Sequence, residues 1–433
     1  MSACRQQLNV GLTVGLLLVL IGAFAQIART QTPAPSGTTP IPQPAPELMI
    51  DQIKKAVVFL QGTYLSKQTR SVNGLSQQMM VPTPLTGTGF LIFLFDSRLG
   101  ADRGETFLVT NKHMIREPGV NGALGEGPYF SSVLMRINTK QAAADGNQFA
   151  LSPLTVVDSQ GSLDWFIDAD ETVDLAITPI HFDSEGELDY KSIQTELFAT
   201  KELVKKEHVN ENDEILFTGL FTWSPGAKKN YPIVRHGKLA RLLEERIPLD
   251  RNHPEKTVEV HLAEVMSFGG NSGSPVFLRI GGFRETTESP SLKGYAYYLL
   301  GVMQGFFPEG MDFAIEIAEL KGSAAQNSGL AAVIPADKIL EILDGPRCRA
   351  YRELVAANSF LEKGNINEAE DGFKSAISLL EKAAADHTEL AVTLEKYADF
   401  LRKTHRMNEA KDAEQRANKI LSNISSDRMK PRS

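Results

Sequence analysis

The sequence of 433 residues has only two cysteines, Cys4 and Cys348. No disulfide framework can therefore brace the fold, which must rest on its hydrophobic cores. Positive charge is also in short supply, since 53 acidic residues against 45 basic ones give a formal net charge of −8. With no basic stretch interleaved with aromatic residues, this balance excludes a general nucleic-acid-binding protein.

Metal-ligand spacing is missing as well. The segment 145–170 is acidic, but its aspartates do not have the spacing of an EF-hand loop. We expect a solvated acidic loop there, rather than a calcium site, from Asp158, Asp164, Asp168 and Asp170.

Residues 1–28 have the parts of a secretory signal peptide. Arg5 precedes an apolar run from Val10 to Ala25, whose last residues are small enough for a cleavage site. The run is shorter than the ~20 apolar residues of a membrane-spanning helix, although Ile27 and Ala28 extend it. An uncleaved membrane anchor is therefore the alternative.

Residues 29–47 form a predicted linker rich in proline, threonine, serine and alanine. Such a composition cannot build a core and favours an extended, semi-stiff spacer. Three interpretations remain: a disordered segment after a leader, a stalk that holds the next domain off a membrane, and a proline-rich ligand segment.

From residue 48, short apolar runs broken by glycine, proline and asparagine favour a β-barrel or a β-sandwich. They form two sets, at about 48–182 and 212–334, joined by a charged, helix-forming connection. A chain with 42% hydrophobic residues and this length can bury more than one core. We expect a closing helix to begin at Pro335. The domain 48–345 should end where Gly345-Pro346 breaks the chain.

Residues 267–277 have the features of a loop that carries a nucleophile. Glycine accepts backbone conformations with positive φ, so it allows the sharp bend that makes a serine hydroxyl project. In such a loop the N–H groups of Gly270 and Ser272 can converge on the oxyanion of a tetrahedral intermediate. The alternative is a glycine-rich turn with an incidental serine.

Two upstream segments offer partners for Ser272. His113 ends a β-rich run, and Asp174 begins a short apolar strand. A histidine base, an orienting carboxylate and a serine nucleophile form a hydrolytic triad. Asp168 and Asp170 compete with Asp174 for the acid role. Weaker rivals for the base lie within or just after predicted strands: His181, His236 and His261.

The order His, Asp, Ser resembles that of the chymotrypsin-fold serine peptidases. Four blocks are similar to those of HtrA-type trypsin-like endopeptidases: Gly-Thr-Gly-Phe (87–90), Val-Thr-Asn-Lys-His (109–113), Asp-Leu-Ala-Ile (174–177) and Gly-Asn-Ser-Gly-Ser-Pro (270–275). The resemblance spans residues 51–343. It departs at Ser274, where those enzymes usually have a second glycine, and we find no PDZ-like sequence.

This resemblance implies an all-β double six-stranded barrel and a set of roles. His113 is the general base, Asp174 orients it, Ser272 is the nucleophile, and the N–H groups of Gly270 and Ser272 form the oxyanion hole. The Asp-Leu-Ala-Ile block selects Asp174 over its rivals. No metal and no organic cofactor are needed.

The resemblance also places the primary substrate pocket. Met266 lies at its base, and Met303 and Gln304 belong to one wall. Because Met266 is uncharged, an arginine or lysine side chain would be desolvated there without a partner, which is costly. We therefore expect cleavage after Val, Leu, Ile, Ala or Met.

Beyond Gly345 the pattern becomes helical, with apolar residues at three- and four-residue spacing. Two similar units, around residues 364–369 and 405–410, resemble tetratricopeptide repeats (TPRs), which bind peptides and partner proteins. We expect TPR-like helices at 346–422 and a disordered tail at 423–433. A plain pair of helical hairpins is the alternative.

The sequence therefore predicts an exported serine endopeptidase, in the bacterial periplasm or on the extracytoplasmic face of a membrane, that acts on proteins or peptides. Its TPR-like helices would bind a protein partner. The alternative is a catalytically inactive adaptor with a peptidase fold, although all three triad candidates are retained.

Overall fold

The computed structural model describes residues 49–428, except 73–74, 120–122, 160, 183–184, 250–253, 285–290, 316–319 and 384–386. The predicted signal peptide or anchor, the whole predicted linker and the last five residues lie outside the described residues. Within them, no helix is long and apolar enough to span a membrane.

The first half of the chain forms a mostly antiparallel sheet. A short helix, α1 (Met49–Lys55), leads into its eight strands: β1 (Val57–Val72), β2 (Leu75–Phe95), β3 (Gly104–Thr110), β4 (Ser132–Asn138), β5 (Phe149–Thr155), β6 (Phe166–Ile167), β7 (Ala176–Pro179) and β8 (Ile193–Gln194). The strand order is β5-β4-β1-β2-β3-β7-β6, and β8 pairs in parallel with β2. This first barrel sheet has more strands than the six that were predicted.

A short helix, α2 (Lys201–Lys206), connects the first sheet to a closed six-stranded barrel. The barrel strands are β9 (Glu214–Gly219), β10 (Ile233–Arg241), β13 (His261–Glu264), β14 (Pro275–Arg284), β15 (Ser291–Ile315) and β16 (Leu320–Pro335). They close in the order β10-β13-β16-β15-β14-β9. A separate two-stranded ribbon pairs β11 (Ile247–Pro248) with β12 (Thr257–Val258).

Alternation of apolar and polar residues explains why each sheet has its own core. In the first sheet, Val133, Met135 and Ile137 of β4 are buried while their neighbours face outward. Inside the closed barrel, Phe217, Leu278 and Leu300 pack together. A third core lies between the two sheets and includes Phe90, Leu216 and residues of the C-terminal helices.

Five helices follow the barrel: α3 (Ala336–Leu343), α4 (Pro346–Glu362), α5 (Ile366–Lys382), α6 (His387–Lys403) and α7 (Met407–Arg428). Proline at the first position of α4 fits a helix start, because its missing N–H has no partner in the first turn. The helix α7 continues to Arg428, so the predicted disordered tail is wrong for residues 423–428.

The predicted fold class is confirmed: two β-barrel sheets are followed by an all-helical region. The predicted boundary at residue 345 does not coincide with a gap in packing. Cys348 of α4 is buried in the core between the sheets, and Tyr351 packs against that core.

Candidate active site

His113 and Asp174 lie together because β3 pairs with β7, with Thr110 opposite Ala176. His113 follows β3 in a short 3₁₀ turn, Lys112–Ile115, and Asp174 lies two residues before the start of β7. One oxygen of the Asp174 carboxylate accepts the His113 backbone N–H at 2.9 Å. The other lies 2.6 Å from His113 Nδ1. The carboxylate thus fixes both the backbone and the ring of the histidine.

The Asp174 backbone is fixed from the same turn. Its carbonyl oxygen accepts Asn111 Nδ2 at 2.9 Å and the Lys112 N–H at 3.2 Å. Lys112 Nζ donates to the carbonyl oxygen of Glu171 at 2.7 Å. Burial lowers the pKa of Lys112, and the nearby Asp174 carboxylate opposes that shift.

The other ring nitrogen of His113, Nε2, is buried and has no hydrogen-bond partner among the described residues. When Nδ1–H donates to the Asp174 carboxylate, Nε2 carries the lone pair of the neutral imidazole. The arrangement therefore presents an unused proton acceptor, held in one tautomer and one orientation.

Ser272 lies in a tight loop between β13 and β14. Gly270 and Gly273 in this loop have positive φ angles of 94° and 82°, which glycine adopts at low cost. The buried Asn271 side chain supports the loop: Oδ1 accepts the Phe268 N–H at 2.8 Å, and Nδ2 donates to the Leu220 carbonyl at 2.7 Å.

The Ser272 hydroxyl donates to the carbonyl oxygen of Gln304 at 3.3 Å, and it makes no hydrogen bond to His113. The structure therefore brings His113 and Asp174 into direct contact and leaves Ser272 bonded to a neighbouring strand. Gln304 and His113 line the same cleft. A rotation about χ1 is the motion that would redirect the hydroxyl, since serine side chains occupy discrete rotamers.

The two predicted oxyanion donors are free. Among the described residues, neither the Gly270 N–H nor the Ser272 N–H has a hydrogen-bond acceptor, whereas the neighbouring N–H groups are used. The Gly273 N–H donates to the Met303 carbonyl at 2.9 Å, and the Ser274 N–H donates to the Asn271 carbonyl at 3.0 Å.

Thr88 is a residue of this site that the sequence reasoning missed. It lies in β2 of the first sheet, fully buried, and contacts the serine loop of the second barrel. Its N–H donates to the Ser272 carbonyl at 2.9 Å, and its hydroxyl donates to the Gly270 carbonyl at 2.8 Å. The signal was the Gly-Thr-Gly-Phe block itself, which the sequence places in a strand without showing what Thr88 touches.

A cleft of about 580 Å³ opens beside His113 and Asp174. Its other lining residues include Arg116, Leu124, Tyr129, Asp168, Glu171, Leu249, Gln304 and Gly305. Leucine and tyrosine residues thus share the walls with both basic and acidic residues, and Gln304 and Gly305 of β15 contribute to the lining.

The predicted substrate pocket needs a correction. Met303 is fully buried in the core of the closed barrel, so its side chain does not line an open pocket. The reason is strand alternation, since neighbouring residues of β15 face opposite sides. Gln304 lines the cleft beside His113, and Met266 is 49% exposed; their roles as wall and base of the primary pocket stay predictions.

Of the rival residues, Asp168 shares the cleft, and Asp170 and His261 have other partners. Asp168 lines the cleft, whereas Asp170 binds the Thr172 hydroxyl and Arg246. Those hydrogen bonds lower the pKa of Asp170 to about 2. His261 is buried on the closed barrel and accepts the Leu243 N–H at Nδ1, 2.9 Å away. Among the described residues, no group of three or more His, Cys, Asp or Glu could hold a metal ion.

Comparisons with known proteins gave only a distant structural likeness. The chain matches no known protein family, and no curated protein matches it. Solved structures do match, among them a thermostable serine protease, AL20, from an extremophilic microorganism. That likeness covers 57% of this chain and 91% of the other, at 10% sequence identity and a TM-score of 0.27.

A likeness this distant bears on neither the fold nor the activity of this chain. The strand topology described above is that of a chymotrypsin-like serine protease fold, here followed by an all-helical region.

Proposed function

We propose that this chain is a serine endopeptidase, in which His113, Asp174 and Ser272 form the catalytic triad. The observation that carries the proposal is the His113–Asp174 pair. The carboxylate binds Nδ1 at 2.6 Å and leaves Nε2 buried and unpaired beside the cleft. A histidine whose Nδ1 is held by a carboxylate, and whose Nε2 has no hydrogen-bond partner, is suited to general-base catalysis.

The mechanism starts with the Ser272 hydroxyl turning from the Gln304 carbonyl to His113 Nε2. Nε2 takes the proton as Oγ attacks the carbonyl carbon of the scissile peptide bond. Asp174 stabilises the imidazolium that forms. The free N–H groups of Gly270 and Ser272 would donate to the oxyanion, and each such donor contributes about 3–4 kcal/mol to the stability of the transition state.

The imidazolium then gives its proton to the leaving amine, and the peptide C–N bond breaks. An acyl-enzyme on Ser272 remains. Water attacks this ester with His113 again as the base, which releases the acid product and restores the hydroxyl. Every proton moves through His113 Nε2.

Labelling with a fluorophosphonate probe tests the proposal. Oγ attacks phosphorus and fluoride leaves, so rapid labelling needs the nucleophile, the base and the oxyanion donors together. We expect the wild-type chain to label, and Ser272→Ala and His113→Ala to lose labelling. Ser274→Ala is the matched control, because Ser274 is fully buried in the same loop and its hydroxyl has no partner among the described residues.

Absence of labelling in the wild-type chain would contradict the proposal. It would favour the adaptor interpretation, in which the peptidase fold only positions the helices. Labelling that persists in Ser272→Ala would mean that another residue is the nucleophile.

We also propose that the helices bind polypeptides as TPR-like repeats do. The helices pack mainly as two pairs, α4 with α5 and α6 with α7, and small residues are buried between them. A Cβ added to Gly372 of α5 would lie 2.9 Å from Ala357 Cβ of α4, so these helices approach closely. Ala398, Ala410 and Ala413 are buried in the second pair.

A shortened chain that ends after Ala383 tests this role. It retains α4, whose Cys348 lies in the core between the two sheets and whose Tyr351 packs against that core, and it removes α6 and α7. We expect normal hydrolysis of a short peptide and slower hydrolysis of a protein substrate. Equal loss on both substrates would show that the helices support the catalytic fold instead.

The HtrA-type relationship and the extracytoplasmic location rest on sequence alone. The four motif blocks support the first, and the signal-peptide or anchor features of residues 1–28 support the second. Fractionation of cells that express the full chain, with a fluorescent or epitope tag at the C-terminus, would test the location. Recovery in the cytoplasm would contradict it.

A further inference from the structure

We propose that Thr88 is a positioning residue whose side-chain hydroxyl holds the oxyanion donor of Gly270 in its working orientation. The inference rests on the proposed function. Thr88 belongs to the first sheet, while Gly270 belongs to the serine loop of the closed barrel. The hydroxyl therefore couples one half of the fold to the catalytic loop of the other.

The direction of both hydrogen bonds at this hydroxyl is fixed. Oγ1 of Thr88 accepts the Leu220 backbone N–H at 2.8 Å. A backbone N–H can only donate, so the single hydroxyl proton is left for the Gly270 carbonyl, 2.8 Å away. Thr88 is fully buried, so water cannot replace either bond at its side chain.

The hydrogen bond to the Gly270 carbonyl fixes the orientation of the peptide group that follows Gly270 in the serine loop. Without a Cβ, Gly270 has little steric resistance to rotation at its φ of 94°, and external bonds must hold it. Thr88 holds the peptide group after Gly270. Thr222 holds the one before it, because its hydroxyl donates to the Gly269 carbonyl at 3.4 Å. The N–H of a trans peptide points away from its carbonyl, so the Gly270 N–H stays opposite Thr222.

Of these two contacts, the one from Thr88 is the shorter and is buried. Thr88 acts on the Gly270 N–H through the Gly270 Cα, since the carbonyl it binds shares its peptide group with the Asn271 N–H. Without the hydroxyl, that peptide group would be held only by the Asn271 N–H, which donates to the Phe268 carbonyl at 3.0 Å, and the φ and ψ angles of Gly270 could relax. The backbone of Thr88 has independent support, since its N–H donates to Ser272 and its carbonyl accepts the Thr110 hydroxyl at 2.7 Å. Thr88→Val should therefore change the loop's orientation and leave the path of β2 unchanged.

The test measures the rate of fluorophosphonate labelling of the full chain as a function of probe concentration. This separates the maximal labelling rate from the probe concentration at half-maximal rate. For Thr88→Val we expect the maximal rate to fall by about 10- to 100-fold, somewhat less than the loss of an oxyanion donor outright. The half-saturating concentration should stay the same, because initial binding does not use the oxyanion hole.

Thr218→Val is the matched control. Thr218 is also fully buried, on β9, and its hydroxyl has no partner among the described residues, so the same substitution removes no hydrogen bond. It should label at the wild-type rate. Thr88→Ser, which keeps the hydroxyl, should recover most of the rate. If Thr88→Val does not fold, the comparison of Thr88→Ser with Thr88→Cys replaces it, because a thiol is a weak donor.

If a folded Thr88→Val chain labels at the wild-type rate, the inference is wrong. The proposed triad would be unaffected. The inference also fails if Thr88→Ser and Thr88→Cys label equally fast, or if Thr218→Val loses as much as Thr88→Val. A wild-type chain that does not label at all overturns the proposed function and this inference with it.

Discussion

The Tyr351 hydroxyl of α4 donates to the Glu105 carboxylate of β3 at 3.0 Å. The strand β3 leads directly into the turn that carries His113. The first helix of the C-terminal pairs is thus attached to the strand that positions the candidate base. The Tyr351 ring also packs near Phe107 and Phe166, with centroid distances of 6.2 and 6.0 Å.

The first prediction concerns this contact. Burial raises the pKa of Tyr351, and the Glu105 carboxylate adds to that shift, so the hydroxyl stays protonated at neutral pH. Tyr351→Ala should lower the free energy of unfolding by about 3 kcal/mol, the low end for a truncated aromatic side chain, because the ring is only partly buried. Tyr351→Phe should cost about 1 kcal/mol.

Urea unfolding of the two variants and the wild type measures these changes. Equal stability of Tyr351→Ala and the wild type would mean that α4 does not contribute to the core between the two sheets. The helical region would then be an independent domain from residue 346 onward, as the sequence predicted.

The second prediction concerns Asp174. Asp174→Asn should keep the fold and lower kcat by about 10³- to 10⁴-fold, because an amide that donates to Nδ1 forces the proton of the imidazole onto Nε2. Steady-state hydrolysis of a short peptide measures the effect. Asp168→Asn is the control, since Asp168 lines the same cleft and was a rival for the acid role. A larger loss in the control than in Asp174→Asn would reverse the assignment.

The third prediction concerns pH and His261. Burial, with a smaller contribution from nearby Lys201, lowers the pKa of His261 to about 4 from its ordinary value of 6.5. Between these pH values the unfolded chain binds a proton that the folded chain does not. The free energy of unfolding therefore falls as the pH drops through this window, by about 3 kcal/mol at most.

Urea unfolding at pH 7.5 and at pH values down to 4 checks the contribution of this residue. His261→Asn removes the titrating group and keeps an acceptor for the Leu243 N–H. We expect the variant to lose less stability on acidification than the wild type. Parallel loss in the two proteins would assign the acid sensitivity to other groups.

The fourth prediction concerns specificity. Met266 is uncharged and half-exposed beside the serine loop, so we retain it as the candidate base of the primary pocket. Cleavage after Val, Leu, Ile, Ala or Met should dominate in a peptide library. Met266→Asp should shift the preference toward Arg and Lys by supplying a carboxylate partner. A wild-type preference for Arg or Lys would remove Met266 from the pocket and leave the triad unaffected.

The motif blocks predicted the elements of the fold well where local pattern decides structure. The β-rich run that leads to His113 is β3, and the second set of strands, predicted from about residue 212, begins with β9 at Glu214, because apolar runs bounded by turn residues mark strands. Within the acidic segment 145–170 the structure has the strand β5, Phe149–Thr155, where apolar alternation in the sequence is weak.

Met303 and Gln304 show that a motif position does not by itself specify which side of a strand a residue faces. They are neighbours in β15, and a prediction that assigns both to one wall ignores the pleat, which turns one inward and the other toward the cleft. Thr88 shows another limit. Its partners lie 132 and 182 residues away in sequence, and no local pattern specifies contacts at that separation.

The sequence by itself determined the order of barrels and helices and singled out His113, Asp174 and Ser272, because each lies in a short motif whose residues constrain their own backbone. Only the tertiary structure decided how these residues meet. Pairing of β3 with β7 joins His113 to Asp174, whereas Ser272 comes from the other barrel and its hydroxyl rests on Gln304. Only the tertiary structure shows that α4 packs on the core between the two sheets, since burial of Cys348 and Tyr351 depends on surfaces contributed by distant strands.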